Sequence, residues 1–253
     1  MSVSTLRLDS RAVRSGDTFV AVPGSVCDGR KFISNALNGG AALILEEASD
    51  DKFSASVKSP VPVVEVPDLA QNLSRIAARF YGEPSREMHL VGITGTNGKT
   101  TCSVLLAQLN NRLQKKSAVI GTLGFGLLDE LSTSSDLEST GLTTPDAIRT
   151  QEILAKLLEQ GATTVVMEVS SHSLDQARVA AVNFDVAVFT NLSRDHLDYH
   201  GTLEDYGRAK RRLFEMPDVR CSIINGDDAF GESLAKTLQE SRTSVLRYSI
   251  VST

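Results

Sequence analysis

The sequence predicts an α/β protein: a small N-terminal α/β domain, then a mostly parallel sheet with helices on both faces. Three observations carry this. Thr164-Val165-Val166-Met167 and Val186-Ala187-Val188-Phe189 are near-continuous apolar runs, as strands covered on both faces require. Polar segments follow both runs, Glu168-Val169-Ser170-Ser171-His172 after one and Thr190-Asn191 through Asp195-His196 after the other. Ligands of open parallel sheets bind at that C-terminal strand edge. Finally, the turn Gly92-Ile93-Thr94-Gly95-Thr96-Asn97-Gly98-Lys99-Thr100-Thr101 joins a strand that starts at His89-Leu90-Val91 to a helix through residues 102–109, read as amphipathic.

The N-terminal elements follow in order. Asp17-Thr18-Phe19-Val20-Ala21-Val22 is a strand stopped by Pro23-Gly24. Ala41-Ala42-Leu43-Ile44-Leu45 and Val61-Pro62-Val63-Val64-Glu65-Val66 are two more, and Pro62 assigns the latter to a sheet edge or a strand start. Asp68 can cap a helix whose apolar face is Leu69, Leu73, Ile76, Ala77 and Phe80. Gly82-Glu83-Pro84-Ser85 ends that helix and marks a domain boundary, giving domains 1–87 and 88–253.

In the second domain Ser117-Ala118-Val119-Ile120 is a strand, and residues 126–142 read as a long polar loop. Thr144-Pro145 opens a helix with proline in its first turn; Leu154, Leu157 and Leu158 are its buried face and Gly161 stops it. Thr202 with Asp205 forms a capping box for a helix whose apolar face is Leu203, Tyr206, Leu213 and Phe214. Glu204–Arg208 and Arg211–Glu215 then pair at i,i+4 on the wet face, so the arginines there are solvated charges.

Composition excludes several function classes. At 253 residues and 41% hydrophobic content, one large or two ordinary domains can form a core. A net charge of −5 argues against a nucleic-acid partner. No apolar run is long enough to span a membrane, no signal peptide follows Met1, and three scattered cysteines suit reduced thiols, so a cytoplasmic protein is expected.

The glycine-rich turn has the parts of a phosphate cradle, and the sheet is therefore read as P-loop NTPase-like. Backbone N–H groups of Gly95, Thr96, Asn97, Gly98, Thr100 and Thr101 can close on phosphate oxygens, Lys99 can reach the β- and γ-phosphates, and Thr100 can bind magnesium. The strict Walker spacing fails: it wants glycine where Ile93 stands, and Gly92 is one residue early. Glu168, ending an apolar strand, suits a magnesium ligand or is an ordinary strand-end carboxylate. Asp195, His196, Asp198 and His200 are ligand-type side chains close together, and either a zinc site or surface polar residues fits them. Lys210 falls on the apolar stripe of its helix. Either its amine snorkels to the surface, or it is a neutral amine able to take up carbon dioxide as a carbamate.

Taken together, these segments resemble the Mur ligases over residues 6 to about 228. The resemblance rests on Leu8-Asp9-Ser10-Arg11, Gly95-Thr96-Asn97-Gly98-Lys99-Thr100-Thr101, Met167-Glu168-Val169-Ser170-Ser171-His172, and the run from Thr190-Asn191-Leu192 through Asp195-His196-Leu197-Asp198-Tyr199-His200-Gly201. The family's own loop, Thr-Gly-Thr-x-Gly-Lys-Ser/Thr, accounts for the missed Walker spacing. Within the family the match is to the members that add a third amino acid, diaminopimelate or lysine, to UDP-N-acetylmuramoyl-L-alanyl-D-glutamate.

The resemblance implies the following roles. Leu8 and Ser10 hold the uridine end of the nucleotide sugar. Ser25, Val26 and Cys27 stand where the family often has His-Gln-Ala. Thr143, Thr144, Ser170, Gln176 and Arg178 bind the muramoyl-dipeptide, with Leu142 where an asparagine is common. Thr100, Glu168, His196 and a carbamylated Lys210 are magnesium ligands, and Lys99, Lys210 and His196 are the catalytic set. ATP phosphorylates the D-glutamate side-chain carboxylate, and the amine of the incoming amino acid displaces phosphate. A C-terminal domain that selects the amino acid is implied but lies beyond Thr253, so this stretch is expected to be inactive alone. Two rival readings are a folylpolyglutamate-synthetase-like ligase and an inactive nucleotide-sugar- and ATP-binding module. A regulatory GTPase lacks support, since no Asn-Lys-x-Asp motif occurs.

Overall fold

The computed structural model describes residues 4–24, 27–48, 59–128, 136–239 and 243–251. It divides into two compact units, Met1–Ala77 and Ala78–Thr253.

The first unit is built on four parallel strands in the order β1-β2-β3-β4: β1 (Leu6–Arg7), β2 (Thr18–Ala21), β3 (Leu43–Glu47) and β4 (Val63–Val66). Helix α1 (Ile33–Asn38) lies between β2 and β3 in sequence. Phe19, Ala21, Ile33, Ala36 and Ile44 form its core. β4 is an edge strand, as Pro62 requires. Helix α2 (Leu69–Phe80) buries Leu69, Leu73 and Ala77, while Phe80 is exposed. Its cap differs from the expectation. Asp68 sits at φ 51°, in the left-handed region. The Glu47 carboxylate instead accepts from the N–H groups of Leu69 and Ala70, both at 3.0 Å. A side chain from β3 therefore satisfies the helix's orphan donors.

The second unit is a seven-stranded sheet in the order β11-β10-β9-β5-β8-β6-β7. The strands are β5 (His89–Thr94), β6 (Ser117–Gly121), β7 (Gly124–Leu128), β8 (Thr164–Glu168), β9 (Val186–Phe189), β10 (Cys221–Asn225) and β11 (Ser244–Tyr248). Only β7 is antiparallel. Its helices are α3 (Lys99–Arg112), α4 (Ala147–Glu159), α5 (Ser171–Asp175), α6 (Leu197–His200), α7 (Leu203–Arg211) and α8 (Ala229–Leu238). Alternate residues of the central strands feed two cores. Leu90, Ala118, Val165, Met167, Ala187 and Phe189 face one side, packed with Ile153, Leu154 and Leu157 of α4. Val91, Ile93, Val119 and Val166 face the other, packed with Ala107 of α3. Burial on both faces is why the strand sequences are apolar without alternation.

Several local expectations change. Residues 126–128 are not loop: they belong to β7, paired with β6 through a tight turn at residues 122–123. Residues 129–135 of the expected loop lie outside the described residues. Pro145 stands before α4, whose cap is Asp146, accepting from Ile148 N and Arg149 N at 2.9 Å. The helix α3 is not amphipathic in the expected sense. Leu105, Leu109 and Leu113 are more than half exposed, whereas Ser103 and Ala107 are buried. Close approach to the sheet selects small residues there. Thr202 does cap α7. Arg208 pairs with Asp205 at 2.8 Å rather than with Glu204, and Arg211 pairs with Glu215 at 2.6 Å as the spacing predicts. All three cysteines are free thiols. Among the described residues no helix is long and apolar enough to cross a membrane.

Candidate functional site

The strand order reverses beside β5: the chain runs from β5 out to β6 and β7, returns to β8, then crosses to β9, β10 and β11. The glycine-rich loop leaves β5 at this switch point, where open α/β sheets bind ligands. Backbone geometry there demands glycine. Gly95 has φ 148°, and a Cβ on it would lie 1.9 Å from Thr190 Oγ1. Gly98, at φ 85°, starts α3.

The end of β9 pins the loop. Thr96 N donates to Asn191 O at 2.8 Å, Asn97 N to Asn191 Oδ1 at 3.0 Å, and Thr190 Oγ1 to Asn97 O at 2.7 Å. Sequence reasoning left Thr190 and Asn191 without a role. Their partners lie more than ninety residues away in sequence, and the signals were polarity at a strand end and a place in the run that carries the family resemblance.

Lys99 turns back over this loop, its Nζ donating to Gly95 O at 2.9 Å and Thr96 O at 2.8 Å. Burial pushes its pKa down, against the pull of Glu168 and Asp195. Lys210 is 1% exposed, so its amine does not snorkel. Its Nζ also donates to Gly95 O, at 2.9 Å, and lies 4.2 Å from the ring centroid of Tyr206. Burial, reinforced by the charge of Lys99 and opposed by Asp195, lowers the Lys210 pKa to about 7. Tyr206, buried beneath it, places its hydroxyl 3.4 Å from Thr96 Oγ1.

Glu168 is 1% exposed and links two sets of residues. Its carboxylate accepts from Thr100 Oγ1 at 2.9 Å, Thr122 N at 3.0 Å and Thr122 Oγ1 at 3.1 Å. Its backbone carbonyl accepts from Thr144 Oγ1 at 3.0 Å. Thr144 Oγ1 in turn meets Ser170 at its N–H (3.0 Å) and its Oγ (3.2 Å). Thr143 Oγ1 lies 3.1 Å from Thr122 Oγ1. Arg178 donates from Nε to Gln176 Oε1 at 2.9 Å and from Nη1 to Thr144 O at 3.1 Å. Burial lowers the Arg178 pKa. Thr100, Thr143, Thr144, Glu168, Ser170, Gln176 and Arg178 thus form one hydrogen-bonded cluster beside the loop.

The expected magnesium ligands fall into two pairs. Thr100 and Glu168 are bonded to each other, a buried carboxylate and a hydroxyl whose oxygens suit a hard divalent cation. His196 and Lys210 instead both pack on Tyr206, the His196 ring centroid at 6.0 Å. His196 adopts φ 52° and also meets the His172 ring edge-to-face, with centroids 4.8 Å apart. His172 and His200 both have pKa values lowered, first by burial. His200 Nε2 meets Ser171 Oγ at 2.9 Å. Among the described residues no three His, Cys, Asp or Glu side chains converge on a metal position.

The first unit holds its own cavity of about 490 Å³, lined by Leu8, Ser10 and Cys27 together with Asp9, Arg11, Phe32 and Asn35. Asp9 accepts from Arg11 N at 2.9 Å, and its bonds to Arg11 hold its carboxyl below the usual range. Ser25 and Val26 lie outside the described residues.

Residues 93–253 match the family model described as the Mur ligase middle domain, and residues 2–81 match that of the Mur ligase family, catalytic domain. The chain is 53% identical over 240 residues to a UDP-N-acetylmuramoyl-L-alanyl-D-glutamate–2,6-diaminopimelate ligase of Ectopseudomonas mendocina, covering 95% of this chain and 48% of that protein. It is 50% identical over 248 residues to the ligase of the same name from Pseudomonas aeruginosa, covering 98% of this chain and 49% of that protein. Among solved structures, a UDP-N-acetylmuramoyl-L-alanyl-D-glutamate–2,6-diaminopimelate ligase superposes with a TM-score of 0.82 at 35% identity, over 99% of this chain and 49% of that one. The chain spans about half the length of the curated relatives it matches.

Proposed function

The chain belongs to the Mur ligase family, and from that premise we propose that it is the nucleotide-binding part of an ATP-dependent ligase. The reaction joins an amino acid to UDP-N-acetylmuramoyl-L-alanyl-D-glutamate in the cytoplasm, as a step of peptidoglycan precursor synthesis. The names of the similar ligases support 2,6-diaminopimelate as the added residue.

One observation carries this reading: Glu168 faces both halves of the reaction. Its carboxylate bonds Thr100 of the phosphate loop, and its carbonyl bonds Thr144 of the Arg178 cluster. A γ-phosphate held by the loop and an acidic group held by Arg178 then come to the same strand end. Proximity of that kind lowers the barrier to phosphoryl transfer.

Each residue has a task in the proposal. Loop N–H groups from Gly95 to Thr101 and the Lys99 ammonium bind the phosphates. Thr100 and Glu168 would hold magnesium, which offsets charge on the transferred phosphoryl group. Arg178, positioned with Gln176, Ser170, Thr143 and Thr144, binds the dipeptide carboxylate. Lys99 stabilises charge as the D-glutamyl carboxylate becomes an acyl phosphate, which the incoming amine then attacks. Lys210 carries a carbamate, with His196 beside it across Tyr206. Residues 88–253 serve ATP, and residues 1–87 serve the uridine nucleotide through Leu8, Ser10, Ser25, Val26 and Cys27.

Isothermal titration of the 253-residue chain tests the proposal. UDP-N-acetylmuramoyl-L-alanyl-D-glutamate and ATP with magnesium should each bind, and GTP should not. A chain that binds neither of the first two, or binds GTP as well as ATP, overturns it.

A further inference from the structure

Tyr199 lies outside every role assigned above, yet it closes a hydrogen-bond relay whose polarity is fully determined. It stands in the short helix α6, between His196 and His200. Its ring stacks on His172, with centroids 4.2 Å apart. Its hydroxyl donates to Asp175 Oδ2 at 2.9 Å. Asp175 is held from the other side by Arg212, whose Nη1 lies 3.1 Å from Oδ1.

A carboxylate accepts and cannot donate, so the single hydroxyl proton of Tyr199 is committed to Asp175. The Tyr199 oxygen is left as an acceptor, and Gln176 Nε2 donates to it at 3.1 Å. That bond chooses between the two orientations of the Gln176 amide. With the NH2 group turned to Tyr199, Oε1 faces Arg178. There it accepts from Arg178 Nε at 2.9 Å and Nη2 at 2.5 Å. The flipped amide would point N–H groups at a guanidinium, which has no acceptor to offer. Arg178 completes its set by donating from Nη1 to Thr144 O at 3.1 Å.

We propose that Tyr199 is a positioning residue: through the Gln176 amide it fixes the plane of the Arg178 guanidinium, so that the remaining donors on Nη1 and Nη2 face an acidic ligand. The ligand class rests on the function proposed above; the relay does not. All partners of Arg178 in the relay are neutral oxygens, so its charge is left for the ligand. A guanidinium held in one plane loses less freedom when a carboxylate docks on it.

The test uses Tyr199→Phe, a conservative change at a residue 39% exposed. Arginine side-chain Nε–H resonances are recorded on the chain labelled at arginine nitrogen, with Arg178→Lys identifying the Arg178 signal. The Tyr199→Phe variant should broaden or shift that signal, and Asp175→Ala should do the same by freeing the Tyr199 proton. An unchanged Arg178 resonance in both variants overturns the relay, whether or not any ligand binds. Titration then reads the consequence. Affinity for UDP-N-acetylmuramoyl-L-alanyl-D-glutamate should fall about tenfold in Tyr199→Phe, the effect of one lost hydrogen bond, while ATP affinity stays within about twofold. An altered resonance with unaltered dipeptide affinity overturns the positioning role. A parent chain with no affinity for the dipeptide nucleotide overturns the proposed ligand, and the resonance still decides the relay.

Discussion

Lys99 and Lys210 end on the same atom: each Nζ donates to the carbonyl oxygen of Gly95 at 2.9 Å. Two amines from helices far apart in sequence share one backbone acceptor. Burial lowers the pKa of both amines, and at Lys210 the charge of Lys99 adds to it, taking that pKa to about 7.

Lys99→Ala should abolish nucleotide binding without unfolding the chain. Its Nζ donates to loop carbonyls, so the fold loses little when it is removed. Titration with ATP and magnesium checks this, with thermal unfolding as the control. A variant that binds ATP as tightly as the parent would exclude Lys99 from phosphate binding.

Lys210 imposes a pH dependence on stability. Its native pKa is depressed from 10.5 to about 7. Between those values the unfolded chain holds a proton that the native chain does not, so stability from this group rises with pH across that window. Below it both states are protonated, and the full penalty remains. Lys210→Met removes the titration and should be more stable than the parent at about pH 6, on the order of a few kcal/mol. The advantage should shrink steadily toward about pH 10. Denaturant unfolding at several pH values, in buffer free of carbon dioxide, measures it. A difference that does not vary with pH would contradict the burial of the amine.

Glu168→Gln keeps the size of the side chain and removes its charge. The hydroxyl bonds from Thr100 and Thr122 to Oε2 can survive at the amide oxygen, while the Thr122 N–H loses the acceptor it has at Oε1. Magnesium should then no longer strengthen ATP binding, while magnesium-free ATP affinity stays near that of the parent. Gly121→Ala should act similarly by a different route, since a Cβ there would sit 2.1 Å from Glu168 Oε1 and displace the carboxylate. Magnesium enhancement equal to the parent's in both variants would remove Glu168 from the metal site.

Glu47→Ala should destabilise the chain by about 1 kcal/mol, the usual worth of a helix cap. Asp68→Gly should be neutral or stabilising, because Glu47 holds the first-turn N–H groups and glycine relieves the left-handed φ of 51° at residue 68. Urea unfolding of both variants decides between the two carboxylates. Equal losses would return the cap to Asp68.

What the sequence determined by itself were features set by near neighbours along the chain. Apolar runs at 164–167 and 186–189 became central parallel strands because burial on both faces needs that composition. The Gly-Lys-Thr turn became the start of α3, and Thr202 capped α7, because caps and glycine conformations are local. The inward position of Lys210 was legible from helical spacing, and the resemblance carried Thr144, Ser170 and Arg178 to one place. Only the tertiary structure decided who meets whom across the sheet. Glu47 caps α2 from a strand 22 residues earlier. Thr190 and Asn191 clamp the phosphate loop because β9 is the neighbour of β5. Leu105 and Leu109 of α3 face outward, while Ser103 and Ala107 are buried where that helix lies close on the sheet and Leu106 packs on its core. Lys99 and Lys210 meet at Gly95 for the same reason: strand order brings together residues 115 apart, and no period or cap in the sequence encodes strand order.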